Sequence, residues 1–185
     1  MTVKVTIRRR PSKGEAKKNS NGIISLAKNM GEIRRYLLIL SCSKRKRRLP
    51  VTPIPAIERY DGTFFRILRK AFSEYGKPNN LDIVILSAKH GLIAYNENIT
   101  YYDQKMTISR AKILSSPVRA RLRDTLKESW YEKVFINLGK LYMLALDGSR
   151  DLLDEYNVYC ASGRIGERMQ QLRNWVTSLT NEELQ

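Results

Sequence analysis

The sequence predicts an α/β domain in which a four-stranded, mostly parallel sheet lies between two layers of helices. Two observations predict it. Short apolar runs at residues 36–40, 81–87, 133–138 and 158–160 alternate with longer stretches of helical periodicity, the pattern of a parallel sheet with crossover helices. The first three runs are continuous rather than alternating, as strands buried on both faces require.

The strands share a third property: each ends in small or hydroxylated residues followed by a cation. YLLIL is followed by Ser41-Cys42-Ser43-Lys44-Arg45-Lys46, and LDIVIL by Ser87-Ala88-Lys89-His90-Gly91. KVFINL is followed by Gly139-Lys140, and VYC by Ala161-Ser162-Gly163-Arg164. In a parallel sheet all strand carboxyl ends emerge along one edge, where ligands bind. Helix N-termini on that edge add backbone N–H groups and positive dipole ends. Four such loops argue for an anionic ligand, with the phosphates of a nucleotide or nucleic acid fitting best; the alternative is charged loops that only keep the edge soluble.

Residues 1–35 read as a basic arm, ten Lys/Arg against Glu15 and Glu32, able either to follow a phosphate backbone or simply to be solvated. Residues 49–55 carry three prolines and form a connecting loop or a lid. Asp61 can cap a helix whose apolar face is Phe64, Phe65, Ile67, Leu68, Ala71, Phe72 and Tyr75, ended by Gly76 and Pro78. Residues 92–106 show no clear period and read as a long loop beside the site. Two helices are expected at residues 107–114 and 117–129, separated at Ser116-Pro117, with Arg119, Arg123 and Lys127 as a basic ridge. A closing helix presents Ile165, Met169, Leu172, Val176 and Leu179; residues 36–179 form the domain and 180–185 a tail.

Composition bounds the function. Of 185 residues, 34 are Lys or Arg and 18 Asp or Glu, a formal net charge of +16, which favours polyanionic partners. Two cysteines without paired spacing and one histidine give no zinc ligand set, so no metal is expected. The thiols are expected reduced and the protein cytoplasmic. No stretch approaches the roughly 20 apolar residues of a membrane span, so no membrane partner is expected. Neither a P-loop nor a G-x-G-x-x-G follows a strand, so no nucleotide cofactor is expected. The oligomeric state is not legible.

His90 is the one side chain whose unperturbed pKa lies near neutrality, and the cations around it favour its neutral form. It is the candidate catalytic base, with Asp103 to pair with it or orient water. Candidate binding residues are Ser41, Ser43, Lys44, Lys46, Tyr60, Ser87, Lys89, Gly91, Tyr102, Gly139, Lys140, Ser162, Gly163 and Arg164. Tyr60, Tyr101 and Tyr102 are candidates to stack on an unpaired base.

The series Cys42-Ser43-Lys44-x-Lys46, Tyr60-Asp61-Gly62 with Phe65, and Leu86-Ser87-Ala88-Lys89-His90-Gly91-Leu92 resembles a bacterial and archaeal family of unknown function often described as YaaA-like peroxide-stress proteins. Tyr102-Asp103 with Met106, and Gly163-x-Ile165-Gly166-x-Arg168-Met169 with Leu172, continue the match across residues 36–175. More distantly, the strand followed by Cys-Ser-Lys-x-Lys looks like archaeosine synthase-type domains of the uracil-DNA glycosylase-like fold. That resemblance implies a strand order of 2-1-3-4 and a base or nucleotide pocket at the carboxyl edge. The glycosylase water-activating motif is absent, as are the Pro-Tyr and Ser-x-x-His of the archaeosine synthases, so neither activity transfers. Three readings follow: an enzyme acting on a base or its glycosidic bond, a non-catalytic DNA- or RNA-binding protein, and, more weakly for want of an acidic cluster to hold Mg²⁺, a phosphodiester nuclease.

Overall fold

A computed structural model of the chain describes residues 34–182. The central element is β1 (Tyr36–Ser41), in which Tyr36, Leu37, Leu38, Ile39 and Leu40 are all fully buried. Each aliphatic side chain so buried contributes about 1.5–3 kcal/mol. A short β2 (Ile54–Pro55) leads into the single-turn α1 (Ala56–Arg59), then α2 (Thr63–Tyr75), β3 (Leu81–Ser87), β4 (Gly91–Ala94) and β5 (Asn98–Ile99). After these come α3 (Ile108–Glu128), β6 (Lys133–Asn137), α4 (Lys140–Leu146), a 3₁₀ segment (Asp147–Leu153), β7 (Asn157–Cys160) and α5 (Ile165–Glu182).

The main sheet has five strands in the order β4-β3-β1-β6-β7. β3 and β6 pair in parallel with the two sides of β1, β7 pairs in parallel with β6, and β4 runs antiparallel to β3. The fifth strand corrects the four-stranded expectation. The segment read as an irregular loop turns back at Gly91, whose φ of 75° suits glycine, so that Leu92, Ile93 and Ala94 pair with β3. β2 and β5 form a separate two-stranded sheet. Helices α2 and α5 pack on one another in one layer, and α3, α4 and the 3₁₀ segment in another. Trp175 of α5 meets Tyr36 edge-on at 6.4 Å and Phe135 at 4.9 Å, joining its layer to the sheet.

Three local expectations change. Residues 107–129 form one helix, not two: Thr107 caps it by accepting from the Arg110 N–H at 3.1 Å, and Pro117 is carried within it. The helix after Asp61 is capped by Gly62, with no side-chain cap. Asp61 is drawn away by Arg45, Arg66 and Arg69 at 3.0, 2.8 and 2.8 Å, and the bond from Arg66 holds its carboxyl down at about 2. Ile165, assigned to the apolar face of the last helix, is 59% exposed. Just before β1, Arg35 donates to Asp82 at 2.7 Å, and α5 continues through Glu182 with Thr180 buried. The rest of the basic arm, residues 1–33, lies outside the described residues.

Candidate functional site

Ser87 is the last residue of β3 and fully buried. Its Oγ accepts the backbone N–H groups of Lys89 at 3.2 Å and His90 at 3.1 Å and shares a bond with Tyr102 Oη at 2.7 Å. A hydroxyl oxygen has two lone pairs; with both occupied by N–H donors, the Ser87 proton points to Tyr102. Tyr102 Oη in turn lies 2.6 Å from Tyr60 Oη. Arg110 closes the turn from outside, donating to the carbonyls of Ala88 and Lys89, each at 2.7 Å. The Lys89-His90 turn is therefore fixed in place before any ligand arrives.

Cations gather around Tyr102. Lys46, from the loop after β1, has its Nζ 4.3 Å from the ring centroid, and Lys89 has its Nζ at 5.5 Å. The His90 ring meets the same ring edge-on at 5.1 Å. Neither lysine has a salt bridge among the described residues. Burial lowers the Lys46 pKa, opposed by electrostatic interaction with Cys42 and Asp103. Burial and then the charge of Lys89 lower that of His90, opposed by Glu97. Burial raises both phenols, Tyr60 and Tyr102, so they stay protonated.

Beside this cluster a cleft of about 190 Å³ opens between Ser41, Cys42 and Ser43 at the end of β1, the α2 N-terminus from Gly62 to Phe65, and Ile165 at the start of α5. Gly62 is needed for the close approach of loop and helix: its N–H donates to Ser43 Oγ at 3.1 Å, and a Cβ there would lie 2.5 Å from Ser43 Cβ. Buried Cys42 meets Tyr142 Oη at 3.1 Å and bears electrostatically on Lys46, Tyr60 and Tyr102. It is the point at which cleft and cation cluster adjoin. Arg168, one turn into α5, lies over Phe64 at 5.4 Å and donates through Nε at 2.9 Å, and through Nη2, to Asn137 Oδ1.

The structure brings together Ser41, Ser43, Lys46, Tyr60, Ser87, Lys89, His90, Gly91 and Tyr102, and leaves the others apart. Lys44 and Lys140 are exposed, with no side-chain hydrogen bond or salt bridge among the described residues, and Gly139 serves as the N-cap of α4. Ser162 is tied through its backbone N–H and carbonyl to Gln171, and the Arg164 N–H is taken by Glu167. Gly163, with φ 90°, makes the turn between them. Tyr60 is fully buried and Tyr102 is 5% exposed, so neither has a free ring face; the base-stacking role assigned to them is corrected, and they are the buried support of the cations. Asp103 does not pair with His90: its charge acts on Lys46, while the carboxylate that acts on His90 is Glu97. Arg168 and Asn137 were not among the candidates. The arginine lies one turn into a helix rather than in a strand-end loop, and nothing in a strand's last asparagine marks it as a ligand group. Among the described residues no group of His, Cys, Asp and Glu could hold a metal, and no helix is long and apolar enough to cross a membrane.

Residues 37–174 match DUF6884, a family of unknown function. The chain belongs to that family. All the residues just described, from the end of β1 to Arg168, lie within the DUF6884 region. No curated protein matches the chain. The solved structure of AF0587, a protein of unknown function, is similar over 77% of this chain and 44% of that one, with 15% identity and a TM-score of 0.47. The DUF6884 chain thus spans less than half the length of that protein.

Proposed function

We propose that this protein binds a nucleotide or nucleic acid along the carboxyl edge of its sheet, with phosphates held by Lys46 and Lys89. One observation carries the reading: two lysines from different strand ends approach the same buried tyrosine ring, with no salt-bridged acid among the described residues to neutralise either. Gathering like charges is unfavourable unless an anion later joins them. The net charge of +16 acts in the same direction, as does the resemblance to YaaA-like proteins and, more distantly, to the uracil-DNA glycosylase-like fold, with its pocket at this edge.

The test is fluorescence anisotropy with a labelled single-stranded oligonucleotide. The double variant Lys46→Gln/Lys89→Gln should bind roughly tenfold or more weakly, while Lys70→Gln, which removes a surface lysine paired with Glu74 on α2, should bind as the parent does. Equal affinity in all three proteins would refute the reading.

A second reading, chemistry on the base or its glycosidic bond, is favoured by His90, whose lowered pKa leaves a neutral imidazole beside the two lysines and so a proton acceptor at neutral pH. It predicts release of free base by the parent. His90→Gln should abolish release and leave oligonucleotide affinity intact.

A further inference from the structure

The backbone sorts the run of cations that ends at Arg48. Around Lys46 the chain is extended and bridges antiparallel to Tyr60. The Arg47 N–H donates to the Arg59 carbonyl at 2.8 Å, and the Asp61 N–H to the Arg45 carbonyl at 2.9 Å. Side chains of extended backbone alternate in direction. Arg45 and Arg47 accordingly meet acids, Asp61 and Glu58, each at 3.0 Å. Lys46 and Arg48, in the alternate positions, meet tyrosines instead: Lys46 lies over the Tyr102 ring, and the guanidinium carbon of Arg48 is 5.7 Å from the centre of the Tyr101 ring. Neither side chain makes a hydrogen bond or a salt bridge among the described residues.

The two tyrosines divide as well. Tyr102 is buried beneath its lysines, whereas Tyr101 is 39% exposed. Arg48 and Tyr101 come from different segments, and one buried guanidinium fastens both. Arg59 donates to the carbonyls of Arg47 and Pro50, on either side of Arg48, and to that of Ile99, two residues before Tyr101. An exposed cation–aromatic pair is too weak to fix a loop by itself; Arg59 does so here and holds the pair in place before any ligand arrives. Tyr101 directly precedes Tyr102, and Arg48 stands two residues from Lys46, a step of about 7 Å along an extended chain. The exposed pair therefore lies beside the lysine cluster, within the reach of a nucleotide from its phosphate to its base.

We infer that Arg48 and Tyr101 form a subsite for the base of an unpaired nucleotide, which stacks against this pair while Lys46 and Lys89 hold its phosphate. The inference rests on the nucleic-acid reading above and narrows it to single strands. Unpaired bases stack on aromatic rings and on guanidinium planes, and such stacking tolerates any base. A base inside a duplex is covered by its neighbours and would first have to leave the stack.

The experiment is fluorescence anisotropy with one labelled oligonucleotide sequence, prepared as DNA and as RNA, offered single-stranded, as a blunt duplex and as an abasic strand of the same length. The parent should bind the single strand of at least one sugar type roughly tenfold or more tightly than the duplex or the abasic strand, the scale of one stacked base. Tyr101→Ala should lower the single strand to the affinity of the abasic strand and leave the abasic affinity, which reports the lysines, unchanged. Tyr101→Phe keeps the ring and should bind as the parent does, as should Tyr75→Ala, which removes an exposed tyrosine at the end of α2. Equal parental affinity for the single and abasic strands, reduced only by Lys46→Gln/Lys89→Gln, would overturn the base subsite and leave the lysine reading standing. Affinity that falls with Tyr101→Ala but not with Lys46→Gln/Lys89→Gln would support the stacking and remove the lysines as its phosphate grip. Binding of no strand would overturn both.

Discussion

With a single histidine in the chain, the protonation of one site residue can be followed directly. His90 has its pKa lowered from 6.5 by burial and by Lys89. Below 6.5 the unfolded chain therefore takes up its proton first, and the imidazole costs stability as pH falls toward its folded value. A bound anion would reverse this by favouring the charged ring. The NMR midpoint of the imidazole should lie below 6.5 in the free protein and rise on adding an oligonucleotide, with affinity increasing between pH 7.5 and 5.5. An unmoved midpoint would take His90 out of the site. Gly62 offers a steric test. Gly62→Ala would set a methyl against Ser43 Cβ and push the β1 loop off α2, costing about 1–3 kcal/mol as overpacking does, read as a lowered melting temperature together with lost oligonucleotide binding. At this scale the sequence made legible the proximity of Lys46, Lys89 and His90, because a cation after a buried strand needs only chain position to be found. It gave the wrong role to Tyr60 and Tyr102, since an aromatic residue beside a site has the same letter whether its face is covered or free.

The loop between β1 and α1 is held by one buried arginine. Arg59 is fully buried and donates to the carbonyls of Arg47 at 2.8 Å, Pro50 at 2.9 Å, Thr52 at 2.7 Å and Ile99 at 3.3 Å. It thereby secures the segment read as a possible lid, and the pairing of β2 with β5 reinforces that hold. Arg59→Met keeps the aliphatic stem and removes every donor, leaving four carbonyls in search of water. The expected loss is about 3 kcal/mol or more, since each buried carbonyl left without a donor costs about 1–3 kcal/mol, measured by urea denaturation, with faster tryptic cleavage at Arg47 and Arg48. A loss within 1 kcal/mol would mean that β2 and β5 hold the loop by themselves. The strands and most helices were legible because burial on two faces and the 3.6-residue period are written in hydrophobicity. β4 was not, since a return strand at the edge announces itself only through the turn at Gly91. The continuity of α3 was hidden by Pro117, whose usual helix-breaking effect was outweighed here by the packing of Ala111, Leu114, Val118 and Leu122 into the core.

For the molecule as a whole, the charge excess and the site make separable contributions to binding. Affinity for nucleic acid should fall with salt, log K against log salt having a slope of roughly −0.7 to −0.9 for each phosphate neutralised. Lys46→Gln and Lys89→Gln should each make that slope shallower by about one, as the loss of one phosphate contact does. A slope unchanged by both would assign binding to charges elsewhere on the chain. The overall class, a mostly parallel sheet with helices, was legible because it follows from element order alone. The convergence of loops was legible only in part: the first two strand ends meet around Tyr102, whereas Lys140 and Arg164, after the third and fourth, do not join them. The two thiols differ in a way that can be exploited. Cys160 is exposed while Cys42 is buried against the cleft, so a small alkylating reagent should tag Cys160 first and reach Cys42 only through the opening, making the slower adduct, resolved by mass spectrometry, a footprint of occupancy for any compound screened against this protein.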